Sequence, residues 1–129
     1  MSSPERKLTV KEHYSPECQN LGDNKYVASF VAEVVKVLVA EGITERAKQD
    51  TIIQELCAHK YLYPIDFTEF YNDAHGRKSL EQILKKMLPA TSTARISEIV
   101  KDLAVNAKRL NDEIMKEYLA KYTAEYFTY

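Results

Sequence analysis

Three histidines (His13, His59, His75) and two cysteines (Cys18, Cys57) are the side chains best suited to ligate a metal or carry a proton near neutral pH. A zinc site needs three or four converging ligands, usually supplied as two close pairs. Cys57 and His59 form one close pair with a single residue between them, so on a helix they diverge by roughly 200° at 3.6 residues per turn. A buried Cys57 and a surface His59 are therefore expected, and no metal ligand is assigned. Asp66, Glu69 and Asp73 recur at spacings of three and four, which could hold a metal or supply an acid and base pair. Matching Glu-x-x-His units are missing from the chain, and helix capping accounts for Asp66 and Glu69. No serine or cysteine lies in a nucleophile motif, and none of the three glycines belongs to a phosphate-cradling loop. The sequence thus assigns no catalytic or cofactor-binding residue, and a non-enzymatic protein is expected.

Two other groups of residues suggest contact surfaces. Arg77, Lys78, Lys85 and Lys86 put positive charge on a short helix after a glycine, as a helical DNA-binding regulator would. Glu81 and Asp73 lie in the same stretch, and 18 basic residues against 19 acidic ones give the chain no strong field for phosphates or anionic lipid. Nucleic acid is therefore the second choice. The first choice rests on the nine tyrosines, which occur without a tryptophan. Tyr61, Tyr63 and Tyr71, with Phe67 and Phe70, crowd the segment around Pro64 and are expected at the edge of the core. Tyr118, Tyr122, Tyr126 and Tyr129, with Phe127, close the chain, and tyrosine suits interfaces because its large rigid surface ends in a polar tip.

The elements that position these residues read as helices throughout. Charged residues at 29%, apolar residues at 45%, and few glycines and prolines fit one all-α domain, a bundle of about five helices. Residues 1–21 read as a flexible arm, which Tyr14 and Leu21 could pin to a helical domain over 22–129. Asp23 or Asn24 caps a first helix that ends at Gly42. Its apolar face includes Tyr26, Val27, Phe30, Val31, Val34, Val37 and Leu38, widened by Val35 and Val39, so it should be central. A second amphipathic helix runs from Thr44 to near Lys60, carrying Ala47, Ile52, Ile53, Leu56 and Cys57 inward. Pro64 breaks it. Capping boxes at Asp66–Glu69 and Ser79–Gln82 open a third helix stopped by Gly76 and a fourth ended by Pro89.

Thr91, Ser92 or Thr93 then begins a terminal helix over about 93–127. Ile96, Val100, Leu103, Ala107, Leu110 and Ile114 alternate steps of four and three, a straight seam for packing. From Ile114 to Tyr118, Tyr122 and Tyr126 every step is four, which rotates the stripe by about 40° each time. The end of this helix should therefore project. The expectation is an adaptor, inhibitor or assembly subunit that binds another protein, or a second copy of itself, through Tyr118, Tyr122, Tyr126, Phe127 and Tyr129. No cofactor, small-molecule substrate or membrane enters this reading. Two widely spaced cysteines and no early apolar run suggest free thiols in the cytoplasm.

Overall fold

The computed structural model describes residues 24–127, with side chains through residue 123. The expected arm, with Cys18 and His13, lies outside the described residues, as do Tyr129 and the side chains of Tyr126 and Phe127. Five helices follow in order: α1 (Lys25–Ala40), α2 (Arg46–Ala58), α3 (Pro64–Asn72), α4 (Ala74–Met87) and α5 (Thr93–Phe127), with no strand among the described residues. The chain is an all-α bundle built along α5. Helix α1 packs against α5, α2 and α3, and α3 and α4 pack against each other and against α5. The two long central helices are antiparallel: Lys25 at the start of α1 reaches Glu117 at 2.7 Å, and Glu41 at its end meets Arg95 at 3.0 Å.

The core follows the sequence pattern closely. Val27, Phe30, Val31, Val34 and Leu38 of α1 are buried, as are Ile96, Val100, Leu103, Ala107 and Leu110 of α5. Val39, by contrast, is exposed, and so is Ala47, expected on the inner face of α2. Phe30 meets Phe67 edge to face at 5.0 Å, and Tyr61 meets Phe70 in the same way at 4.9 Å. The first aromatic cluster is thus core and core edge: Tyr61 and Phe67 are buried, Phe70 and Tyr71 are partly buried, and Tyr63 is exposed.

Helix ends depart from expectation in instructive ways. Asn24 caps α1 as expected, its Oδ1 accepting from the amides of Tyr26 at 2.9 Å and Val27 at 3.2 Å. Gly42, at φ 89°, closes α1 in a Schellman turn, in which its amide donates to Val39 and that of Ile43 to Leu38. Helix α2 starts at Arg46 rather than Thr44, behind Glu45, which makes no side-chain cap bond. It ends in the same Schellman pattern, with amides of Lys60 and Tyr61 donating to Cys57 and Leu56, but Lys60 takes the left-handed position at φ 64°. Neither capping box forms. Pro64 itself opens α3, because the first helical position needs no amide, and this leaves Asp66 inside the first turn. Nor does Gly76 stop a helix. Asp73 both ends α3 and caps α4, its Oδ2 accepting from the Gly76 amide at 2.7 Å, so Ser79 lies well inside α4. At the start of α5 the cap is Ser92, whose hydroxyl accepts from the Arg95 amide at 3.1 Å.

The expectation of free thiols also fails, since Cys57, buried near the end of α2, is disulfide-bonded. Separation in sequence limits the entropy of closing a loop but not how near two cysteines come once the chain has folded.

Candidate interaction surface

Helix α5 has 35 residues, about 50 Å at ~1.5 Å per residue, whereas a compact chain of this size spans roughly 30 Å. Its last buried residue is Leu110. Asn111 then forms the outermost hydrogen-bonded anchor on this side, donating from Nδ2 to the Pro64 carbonyl at 3.2 Å and to Thr68 Oγ1 at 2.7 Å. Ile114 is half-buried, and beyond it every described side chain is exposed. The ion pair between Lys25 and Glu117 follows the helix outward, but both side chains are more than half exposed, which limits its contribution.

On this outer stretch Met115, Tyr118, Leu119 and Tyr122 are exposed by 53, 61, 54 and 46%. Their spacing of i, i+3, i+4 and i+7 places them on one helical face, the arrangement of an amphipathic helix whose partner side is bare. The rings of Tyr118 and Tyr122 stack at 6.3 Å with an interplanar angle of 20°, so the two aromatics form one continuous wall. At ~100° per residue the middle of this face is turned about 90° from the buried seam of Ile96 to Leu110. Tyr118 and Tyr122 are exposed because the helix has passed beyond its last buried residue, Leu110. Met115 and Leu119 form the aliphatic half of the stripe, which the tyrosine pattern alone does not mark but the spacing of i, i+3, i+4 and i+7 does.

The basic group is divided. Arg77 donates from Nε to the Tyr71 carbonyl at 2.8 Å and lies 4.7 Å from the Tyr71 ring, which ties it to the corner between α3 and α4. Lys85 donates to the carbonyls of Pro89 and Thr91 beyond the end of its own helix. Lys78, Lys85 and Lys86 share a shallow surface between α4 and α5 with Glu81, whose carboxylate accepts from Ser97 Oγ at 2.9 Å. Among the candidate ligands, His59 is exposed and its Nε2 lies 3.3 Å from Glu55, while no three His, Cys, Asp or Glu of the described residues converge. At the other end of the bundle, Glu41 accepts from Thr91 and Arg95, and this hydrogen bond raises the guanidinium's already high pKa further.

Comparison with protein-family models, curated proteins and solved structures finds no match. None of the helices described is long and apolar enough to cross a membrane.

Proposed function

We propose that this protein is a non-enzymatic interaction module, an adaptor, inhibitor or assembly subunit, whose terminal helix docks on another protein or on a second copy of itself. The observation that carries this reading is the stripe of Met115, Tyr118, Leu119 and Tyr122, half exposed on a helix that has left the core behind. Burying large aromatic and aliphatic side chains of this kind supplies most of the free energy at a helix-in-groove contact. The DNA-binding alternative would rest on Lys78 and Lys86, with Arg77 and Lys85 already engaged within the fold. Retention on heparin that falls steeply with salt is its test.

Leu119→Glu in the full chain tests the leading reading. It places a charge in the middle of the stripe without touching the core, so the thermal midpoint should stay within about 2 °C of wild type. Light scattering should show loss of self-association, or an affinity pull-down should show loss of proteins the wild type retains. If wild type and variant are both monomers and recover the same proteins, the terminal helix is not the contact surface. Placement in the cytoplasm is the part of this reading that the disulfide at Cys57 opposes, because structural disulfides belong to oxidising compartments.

A further inference from the structure

Helices α2 and α4 flank a groove of about 390 Å³ without packing closely on each other, since α2 rests on α1 and α4 on α3 and α5. Its floor is apolar: Ile52 is buried, and Ile43, Ile83 and Met87 are partly buried against the core and line the groove with the part that stays exposed. Lys48, Lys86 and Glu55 stand on the rim. We infer that this groove binds a medium-chain fatty acid, its carboxylate held between Lys48 and Lys86 and its hydrocarbon tail laid along Ile52 and Ile83.

The rim is polarised. Helix α4 ends at the same end of the bundle as α1, because Thr91, just beyond α4, meets Glu41 at 3.4 Å and Arg95 meets the same carboxylate at 3.0 Å. Ile43 follows Glu41 closely and leads into α2, so Lys48 near the head of α2 and Lys86 near the tail of α4 share one end of the groove. Glu55 lies about two turns further along α2, at the other end. These charges are not equally engaged. Glu55 is 3.3 Å from His59, and Lys48 meets Glu45 at 3.3 Å in an exposed pair of the kind that contributes little. Lys86 makes no hydrogen bond or ion pair among the described residues. It also borders the shallow surface that carries Glu81, but that carboxylate is held by Ser97. One end of the groove thus offers two ammonium groups to an anion, and the other end repels it.

Size selects the occupant. From Lys48 to Glu55 the groove follows α2 for about 10 Å at ~1.5 Å per residue. That is too short for a protein interface, which covers roughly 800 Å² on each side, whereas small-molecule sites ordinarily enclose about 300–1,000 Å³. An alkyl chain brings no polar group that the isoleucine and methionine floor would leave unpaired, and each methylene it buries strengthens binding about fourfold. The anionic head then finds its charge partners in Lys48 and Lys86, where ionised hydrogen bonds are the stronger kind. This site shares no residue with the stripe on the terminal helix, so it stands or falls independently of that helix's role.

Titration of the full chain with decanoate, followed by calorimetry and by amide chemical shifts, tests it. Binding should saturate at one site with a dissociation constant of about 0.1 mM and shift the amides of Ile43 to Glu55 and Ile83 to Met87. Octanoate, two methylenes shorter, should bind about 10-fold more weakly. Decylammonium, the same chain with the opposite charge, should lose at least about 10-fold, and so should decanoate against a variant carrying Lys48→Gln and Lys86→Gln. Both lysines are exposed, so that variant should melt as wild type does. Binding that does not saturate, or shifts centred on Met115 to Tyr122, overturns the proposal. Equal affinity for decanoate and decylammonium, or for decanoate in wild type and variant, overturns it as well, because the lysines then do not hold the head group.

Discussion

Lys60 and Gly42 occupy equivalent positions at the ends of α2 and α1, and the chain uses a side chain at one and none at the other. The left-handed conformation costs an L-residue about 1 kcal/mol that glycine does not incur. Lys60→Gly should therefore raise stability by about 0.5–1 kcal/mol, read as a higher urea midpoint with an unchanged slope. Buried Tyr61, close to Lys60, makes a second prediction. Burial raises its pKa above the ordinary 10.0, so the neutral phenol is the form the fold tolerates. The associated stability is fully present below the unfolded-state pKa and is lost as pH climbs through the higher folded-state value. Between about pH 10 and 12 the thermal midpoint of wild type should fall more steeply than that of Tyr61→Phe.

At the scale of elements, the corner between α3 and α4 turns on Gly76. Glycine inside a helix ordinarily costs about 1 kcal/mol relative to alanine, which predicts stabilisation by Gly76→Ala. A Cβ there would lie 2.5 Å from the Phe70 carbonyl oxygen and 3.0 Å from the Phe70 Cα, both backbone atoms that cannot swing aside. Overpacking against such a wall costs about 1–3 kcal/mol, so the clash wins and the substitution should destabilise by about 1–2 kcal/mol in equilibrium unfolding. A stabilised Gly76→Ala would show that α3 and α4 do not approach so closely. The same corner explains why the sequence boundaries failed here. A glycine flanked by polar residues reads as a stop signal, yet it is required by the close approach of Phe70, a contact that exists only after α3 has folded back beside α4.

Across the whole molecule, the seam from Ile96 to Leu110 buries one helix along its length, and the exposed stripe from Met115 to Tyr122 leaves the same helix unfinished. Stability and association should therefore separate. Substitutions at Leu119 should alter binding and leave unfolding nearly unchanged, whereas Leu103→Ala should lower stability by about 2–4 kcal/mol in urea unfolding. Asn111 marks the boundary between the two regimes, since its amide anchors α5 to the first turn of α3.

The helical class, the central place of α1, the α5 seam and its change of direction were all legible in the sequence, because apolar spacing at 3.6 residues per turn is a local property. Asn24 and Gly42 were legible for the same reason: a cap or a left-handed turn is decided within a few residues. Other features were decided by tertiary structure. Proline at the head of α3 displaced Asp66 from the cap, Gly76 answered to Phe70, and Arg77 and Lys85 were drawn from a basic patch into carbonyl contacts. A disulfide at Cys57 reversed the expected thiol chemistry. Each depends on groups that the folded chain brings together, and spacing along a chain does not encode those distances.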